Sequence, residues 1–374
     1  MASGASEVRT DLAVVGSGIV GLAHAVEALR RGLSVVVIER DERPVGASVR
    51  NFGHCGVTGL DGRALGYALT AREAWLDLAK RAGIWLRESG TVVVARADDE
   101  RAVLEELALA RDGDVVLLDR DGVTERVGEV PDAVGGAFLP LDLRVDPRSA
   151  APGLARWLAE QGVVFQWSTT AHVLAPGLVG TSRGRVHAEH VVLAVGHHLD
   201  RHYPDLTAAA GLRRCSLHML QVAAPDGRTV EPAVLTGLSL LRYPAFRACP
   251  SAATVRARIG AEQPDLLAAD VNLMLTQLPD GDLLVGDTHT YADTPDPFQD
   301  EALDRLLLDQ AACVLGVPGL DVRRRWRGIY ASAEREEFLI AEPAPGVRAV
   351  AVTTGIGMTT ALGLAPAVLD DLLA

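Results

Sequence analysis

The first fifty residues constrain the fold of this chain more than any other segment. An apolar strand at residues 11–15 runs directly into the glycine pattern Gly16-Ser17-Gly18-Ile19-Val20-Gly21, and an amphipathic helix follows at residues 22–31. A second apolar strand at residues 34–38 ends on Glu39. Strand, glycine-rich turn, helix, strand and terminal acid in this order are typical of the βαβ unit that binds a dinucleotide.

Each glycine of the pattern has its own physical role. Gly16 permits the tight turn, Gly18 lets the backbone approach a pyrophosphate, and Gly21 lets the helix and the strand pack closely. The helix N-terminus adds free N–H groups and a partial positive charge. Glu39, 18 residues after Gly21, lies where a carboxylate would accept hydrogen bonds from a ribose.

Composition excludes several classes of partner. The chain has 374 residues with 48% hydrophobic and 23% charged side chains, as in an ordinary soluble enzyme. Its net charge of −13 argues against nucleic acid or an anionic membrane as a partner. Four scattered cysteines show no zinc-binding spacing, so we expect free thiols and no metal site. The first ten residues carry no apolar signal region, and we expect a cytoplasmic protein.

The elements of a nucleotide-binding domain recur at two further places in the chain. A helix and two strands lie near the middle, and a strand, a glycine-containing turn and an apolar helix lie at the C-terminus: residues 148–161, 162–167, 191–196, 347–352, 353–358 and 360–373. At the C-terminus, the order strand, glycines, helix again directs N–H groups at an electron-rich group, although a simple β–α turn would look the same.

The segments between these elements have a different character. They contain alternating strands, one helix rich in Glu and Ala at residues 98–111, and a hairpin turn at residues 279–282. We therefore predict an α/β fold in which a Rossmann-type domain carries an antiparallel-sheet substrate domain built from two insertions. The expected boundaries are residues 8–83, 145–212 and 326–374 for the first domain, and 84–144 and 213–325 for the second.

Two motifs show a resemblance to a known superfamily. Residues 46–53 resemble the second flavin-contacting stretch of the D-amino-acid oxidase, glycine oxidase and sarcosine oxidase superfamily, and Gly355-Ile356-Gly357 resembles its stretch facing the flavin pyrimidine ring. The resemblance covers essentially the whole chain. Residues 46–53, 241–246, 286–291 and 326–330 are further similar to a branch associated with phosphonate breakdown, whose substrates would be 2-aminoethylphosphonate or its N-methyl derivative.

The resemblance implies FAD rather than NAD as the cofactor. It also implies hydride transfer from an amine-bearing carbon to flavin N5, giving an imine that water hydrolyses to an aldehyde. The partners would be a small-molecule amine and either O₂ or an electron carrier, while the oligomeric state stays open. The implied FAD contacts are Gly16, Gly18, Ile19, Val20, Gly21, Glu39, Arg40, Ser48, Arg50, Asn51, Phe52, Val173, Gly196, Trp326, Gly355, Ile356, Gly357, Met358 and Thr359.

Departures from the superfamily pattern are equally informative. Members that bind flavin covalently use a His near position 50 or a Cys shortly before the final glycine stretch. This chain has Arg50 and no cysteine at residues 326–333, so we expect dissociable FAD. Glycine-oxidase-like members carry a carboxylate-binding arginine near the position of Tyr330. The lysine that speeds reaction with O₂ in sarcosine-oxidase-like members is missing from residues 283–286, which leaves the electron acceptor open.

Five residues are candidates for the substrate site. Arg242 and Tyr243 suit an anion, because an arginine fork matches a phosphonate or a carboxylate. His289 would assist them, His54 would act as a general base or anion partner, and Tyr330 would lie beside the flavin. Each also has a structural alternative, such as an inter-domain ion pair or simple packing. An amino-acid or sarcosine-type oxidase and a non-catalytic FAD-binding protein remain the alternative functions.

The pair His197-His198 follows the strand at residues 191–196. Neighbouring side chains on a strand point to opposite faces, so we do not expect these two histidines to share a metal ion.

Overall fold

The computed structural model describes residues 6–374, so the first five residues of the segment without an apolar signal lie outside it. The strands are β1 (Ser6–Val15), β2 (Val35–Ile38), β3 (His54–Cys55), β4 (Leu86–Arg87), β5 (Thr91–Ala95), β6 (Val116–Leu118), β7 (Gly135–Leu139), β8 (Leu143–Val145), β9 (Val164–Gln166), β10 (Ala171–Ala175), β11 (Leu178–Thr181), β12 (Gly184–Leu193), β13 (Arg213–Val222), β14 (Ala233–Leu235), β15 (Met274–Gln277), β16 (Leu283–Gly286), β17 (Thr290–Ala292), β18 (Val322–Ser332), β19 (Phe338–Ala344) and β20 (Val347–Val352).

The α-helices alternate with these strands and supply the layers that cover the sheets. They are α1 (Ile19–Arg30), α2 (Gly62–Ala82), α3 (Asp98–Ala110), α4 (Arg120–Val127), α5 (Pro147–Glu160), α6 (Pro204–Ala209), α7 (Pro244–Arg247), α8 (Ala252–Glu262), α9 (Pro264–Ala268), α10 (Glu301–Leu315) and α11 (Gly357–Leu372). No helix in the described part of the chain is both long and apolar enough to span a membrane.

The first large sheet carries the predicted nucleotide-binding unit. Its parallel centre has the strand order β20-β12-β1-β2-β9, and β10, β11 and β19 extend it by antiparallel pairing. The centre reads as near-continuous apolar strands because both of its faces are covered. Helices α1, α2, α5 and α11 pack on one face through small residues, which lets backbones lie close. The predicted α/β class is therefore confirmed.

The second large sheet has nine strands drawn from the two segments expected to form the substrate domain. Strands β5, β6 and β7 come from the first segment and β13–β17 from the second, while β18 begins in the second segment and runs into residues expected to belong to the first domain. Its pairs are antiparallel except β5 with β14, which run parallel where the two segments meet. The predicted hairpin is confirmed, because β15 and β16 pair directly across the turn. Strand β18 pairs with β13 along nearly its whole length, so this sheet continues past residue 325.

A small third sheet joins the two large layers. Strand β8 pairs with both β3 and β4, and so holds the segment after the second flavin-type motif against the start of the substrate sheet. The first insertion contains two helices, α3 and α4, where the sequence indicated one. The short helix α4 has low hydrophobicity overall, and only Val123 and Val127 of its side chains are buried apolar groups.

Candidate functional site

A cavity of about 530 Å³ extends from the glycine-rich turn after β1 to the end of β16 in the substrate sheet. Gly16, Gly18 and Glu39 line one end, and Arg242 and His289 line the other. The cavity therefore brings the predicted dinucleotide-binding unit and the candidate substrate residues into one continuous space.

The turn between β1 and α1 is shaped to accept a pyrophosphate. Gly16 has a φ of +104°, and a side chain there would place its Cβ 2.5 Å from the Ala194 carbonyl oxygen. A Cβ on Gly21 would collide with the Gly16 carbonyl oxygen. The first N–H of α1, on Ile19, donates to the Ser48 hydroxyl at 2.8 Å. A helix N-terminus with an adjacent hydroxyl is a site at which an anion binds favourably.

Glu39 lies where β2 ends and holds the glycine turn in place. Its Oε2 accepts hydrogen bonds from the Ser17 backbone N–H (2.8 Å) and the Ser17 hydroxyl (2.7 Å), and its Oε1 accepts from the Asp41 N–H at 3.1 Å. The carboxylate faces the cavity, at the position expected for a ribose contact. Together with the glycine turn, these donors and acceptors fit FAD.

The far side of the cofactor end is formed by the C-terminal glycine stretch. Gly355 has a φ of +79°, and a Cβ there would lie 3.2 Å from the Tyr330 ring. The hydroxyl of Thr354 is buried without a hydrogen-bond partner in the described chain, and it lines the cavity. An unpaired buried hydroxyl beside a helix N-terminus is consistent with a polar ligand, because buried polar groups are otherwise almost always paired.

Fifteen of the nineteen residues with implied FAD contacts line this cavity. They are Gly16, Gly18, Ile19, Val20, Glu39, Arg40, Ser48, Arg50, Asn51, Phe52, Gly196, Gly355, Ile356, Gly357 and Met358. Gly21 and Thr359 are not among the lining residues: Gly21 serves close packing in the turn, and Thr359 is buried in the first turn of α11.

Val173 and Trp326 also lie outside the cavity wall. Val173 is 45% exposed, and its neighbours Ala171 and His172 line the cavity instead. The Trp326 indole N–H donates to the Arg50 carbonyl at 3.3 Å. The cavity-lining part of β18 begins two residues later, at Gly328.

The two adjacent histidines do not lie on a strand. His197 and His198 belong to a 3₁₀ turn, Gly196–Arg201, and their rings lie side by side with centroids 4.1 Å apart. The expectation of opposite faces was therefore wrong, since it assumed strand geometry. Burial and the neighbouring positive charges, His198 first, lower the pKa of His197 to about 3. His198 Nε2 pairs with the Arg40 guanidinium at 2.8 Å, near the expected adenosine end.

Arg242 is the charged group at the substrate end of the cavity. Its Nη2 donates to the Tyr330 hydroxyl at 2.8 Å, and its Nη1 lies 3.4 Å from the Asp270 carboxylate. The Tyr291 hydroxyl also donates to Asp270, at 2.9 Å. Burial raises the pKa of Tyr330 well above its ordinary value, so its phenol stays protonated. Arg242 is thus held in one orientation from two sides.

Tyr243, the residue after Arg242, also lines the cavity. Burial raises the pKa of Tyr243 to about 12, although the Arg242 guanidinium acts in the opposite direction. Its ring packs edge-on against Phe246, and its hydroxyl lies 3.9 Å from the Met274 sulfur. A neutral phenol can donate a hydrogen bond to a ligand.

His289 and Asp287 follow β16 and line the cavity. The ring Nδ1 of His289 lies 2.7 Å from the Asp270 carbonyl oxygen, which can only accept, so Nδ1 carries the hydrogen. Burial and the Arg242 charge lower the pKa of His289 well below its ordinary range, so Nε2 presents a lone pair. Asp287 was not among the candidates from sequence, although it stands in the same motif two residues earlier.

His54 touches the cavity, but its Nε2 is occupied by partners outside it. That nitrogen lies 2.8 Å from the Thr91 hydroxyl and 3.2 Å from the Asp142 carboxylate. Asp142 also accepts the backbone N–H groups of Val57 and Thr58. Burial raises the pKa of Asp142, but its hydrogen bond to His54 and the histidine's charge outweigh this and lower it overall. His54 therefore anchors the segment after the second flavin-type motif.

Comparisons with known proteins agree with this architecture. The model of the family described as FAD dependent oxidoreductase (DAO) matches residues 11–370. An opine oxidase subunit of Rhizobium meliloti is 26% identical over an alignment of 251 residues, and the match covers 62% of this chain and 67% of that protein.

Two solved structures show the same fold. Glycine oxidase from Geobacillus kaustophilus superposes with a TM-score of 0.77 at 21% identity, covering 98% of this chain and 95% of the other. L-α-glycerophosphate oxidase from Mycoplasma pneumoniae, whose structure contains FAD, also gives a TM-score of 0.77 at 19% identity, with the same coverage.

Proposed function

Because this chain belongs to the FAD-dependent oxidoreductase family, we propose that it oxidises a small primary or secondary amine, with 2-aminoethylphosphonate or its N-methyl derivative as the favoured substrate. The observation that carries the proposal is Arg242, a guanidinium held at the end of the cavity opposite the dinucleotide-binding turn. A guanidinium in such a place suits a substrate with an anion at one end and an amine at the other.

Bound FAD would supply the acceptor for a hydride from the carbon beside the nitrogen. The protein positions that carbon. Arg242, fixed by Tyr330 and Asp270, holds the substrate anion, and the neutral phenol of Tyr243 donates a further hydrogen bond. Because this anion lies away from the reacting carbon, its binding energy serves to orient that carbon.

The walls of the substrate end keep water away from the amine. Phe52, Leu217 and Met274 line the cavity and are nearly fully buried. In a dry, low-dielectric site, a charged ammonium group is disfavoured unless it is paired.

A carboxylate substrate is the second candidate. Arg242 is the guanidinium at the substrate end, and it already faces Asp270, so a singly charged carboxylate balances it as well as a phosphonate does. The names of the opine oxidase and the glycine oxidase also favour amino-acid substrates. Against this candidate stands Tyr330, where glycine-oxidase-like members carry the carboxylate-binding arginine.

An electron carrier and O₂ are equal candidates as electron acceptors. The free thiols favour a reducing compartment such as the cytoplasm.

A panel of anaerobic reductions tests the proposal. FAD-loaded protein is mixed without O₂ with aminophosphonates, N-methylamines, opine-like secondary amino acids and glycine, and the loss of flavin absorbance is followed. The proposal expects the aminophosphonates to reduce the flavin with the highest kcat/KM. Fastest reduction by an amino acid would favour the second candidate, and a flavin that no amine bleaches would indicate a non-catalytic FAD-binding protein.

A further inference from the structure

Asp287 is a buried carboxyl group that nothing in the protein pairs on one side. It follows β16 at the edge of the cavity, and its backbone is fixed because its N–H and C=O both bond to Asn272, at 2.9 and 2.8 Å. The residue is only 5% exposed, yet its Oδ1 has no hydrogen-bond partner in the described part of the chain. A buried carboxyl oxygen without a donor is costly, which points to a ligand that supplies one.

The neighbour of Asp287 also lacks a hydrogen to give. His289 Nε2 lies 3.7 Å from Asp287 Oδ2, too far for a hydrogen bond, and the proton of the ring is on Nδ1, where Asp270 accepts it. Two acceptors therefore face each other across a gap inside the cavity. A group with several N–H bonds, such as an ammonium, can donate to both at once.

No charged side chain at this end of the cavity pairs directly with the carboxyl of Asp287 in the described chain, although the Asn272 side chain is close enough to lower its pKa. Arg242 approaches from the segment before α7, but its ion pair is with Asp270 and its hydrogen bond is with Tyr330. Tyr243, from the same segment, is neutral. Within residues 6–374 no ion pair joins Arg242 to Asp287, although the Arg242 charge still acts on that carboxyl and lowers its pKa.

We infer that Asp287, together with Nε2 of His289, receives the ammonium end of the substrate and removes one proton from it. One N–H bond breaks, its electron pair stays on the nitrogen, and an O–H bond forms on Asp287; no electron is transferred in this step. The inference rests on the proposed function, because a neutral nitrogen with a lone pair is needed when the neighbouring carbon is oxidised. Arg242 then binds the anionic end of the substrate, and Asp287 binds its ammonium end.

The acid strength of Asp287 suits this role. Burial raises the pKa of the Asp287 carboxyl to about 7, although the Arg242 charge acts in the opposite direction. A proton acceptor works best when its pKa lies near the pH at which the protein operates. An ordinary exposed aspartate, with a pKa of about 3.9, would return the proton to the amine too readily.

Asp287→Asn tests the inference while keeping the shape of the side chain. Asp304→Asn is the control, because Asp304 is also a buried carboxylate beside a histidine, His218 Nδ1 at 2.8 Å, but it is already paired and lies outside the cavity wall. FAD content and thermal unfolding verify that both variants are folded and loaded. The probes are 2-amino-2-methylpropylphosphonate and 2-aminoisobutyrate, which have no hydrogen on the carbon beside the nitrogen, and their hydroxyl analogues.

Binding of these probes is measured by calorimetry on the FAD-loaded proteins. We expect Asp287→Asn to weaken binding of the better amine by about thirtyfold or more, with the hydroxyl analogue changed by less than about threefold. Asp304→Asn should change neither. Equal amine affinity in wild type and Asp287→Asn, or no measurable binding of either amine to the wild type, overturns the inference.

Anaerobic reduction by an oxidisable amine separates this inference from the proposed function. The wild-type reduction rate should rise with pH through the range set by Asp287, and in Asp287→Asn it should be slow and follow the amine's own titration. An unchanged rate and pH profile in the variant overturns the inference alone. A wild-type protein that binds the ammonium through Asp287 but is reduced by no amine refutes the proposed function alone.

Discussion

Replacing Arg242 by methionine is expected to separate acidic from neutral amines. The methionine keeps much of the apolar stem but removes the guanidinium that contacts Tyr330 and Asp270. An acidic amine then loses its only cationic partner among the cavity-lining residues at the substrate end. A neutral amine of similar length has no anion to lose, so its reaction depends on the same cavity without this contact.

The size of the effect follows from burial. The Arg242 side chain is only 21% exposed, so its pair with a substrate anion is largely desolvated. Removing one partner of such a pair costs about 2–5 kcal/mol, which corresponds to a roughly thirtyfold to several-thousandfold loss in kcat/KM. Part of the loss should appear in kcat, because the anion contact also orients the reacting carbon.

The assay compares the two substrates within each protein. Anaerobic flavin reduction is measured for wild type and Arg242→Met with 2-aminoethylphosphonate and with a neutral amine of equal length. The ratio of the two rates removes any effect of the substitution that both substrates share. Such a shared effect is expected, because the Arg242 charge also opposes the rise in the pKa of Asp287. Arg242→Lys is the control, since it keeps the charge but not the fork.

Refutation is straightforward. Equal losses for both substrates would mean that Arg242 supports the site without binding the anion. No loss for either would remove the main physical support for an acidic amine as the substrate.

Three further predictions concern the cofactor and the fold. Heat or acid denaturation should release FAD into the supernatant, because position 50 is an arginine and residues 326–333 contain no cysteine; yellow colour in the pellet would refute this. Glu39→Ala should weaken FAD binding about ten- to a hundredfold, through loss of a bond of about 1.5–3 kcal/mol, with little change in the reduction rate of loaded protein; unchanged affinity would contradict it. Relative to Asp287→Asn, wild type should lose stability as pH rises from about 4 to about 7, because burial raises the pKa of folded Asp287, so the unfolded chain releases that proton over this range while the folded protein still holds it; parallel melting curves across this range would show otherwise.

The nucleotide-binding unit could be predicted because its information is local. The turn at residues 16–21 and the acid at position 39 lie within one βαβ unit. The sequence shows glycine at positions 16 and 21, and these are positions at which the structure has no room for a Cβ atom. The last strand and helix were predictable for the same reason. Contacts of β10 were less predictable: Ala171 and His172 line the cavity and Val173 does not.

The substrate end depends on contacts between distant segments, and sequence order does not show them. His54 was expected to act as a base or an anion partner because it follows a flavin-type motif. It does line the cavity, but its Nε2 partner Asp142 comes from a segment 88 residues later. Asp287 could have been noticed as an acid directly after an apolar strand. Its missing hydrogen-bond partner becomes visible only once the surrounding elements are in place.

The central claim, that this protein oxidises the carbon beside an amine nitrogen, is tested most directly with a deuterated substrate. FAD-loaded protein is mixed anaerobically with 2-aminoethylphosphonate that carries deuterium or hydrogen on the carbon bearing the nitrogen, and absorbance and products are followed through one turnover. We predict that the flavin is bleached, that deuterium slows the bleaching, and that one aldehyde forms per flavin. An unbleached flavin, or bleaching that is indifferent to deuterium and yields no aldehyde, would contradict the claim.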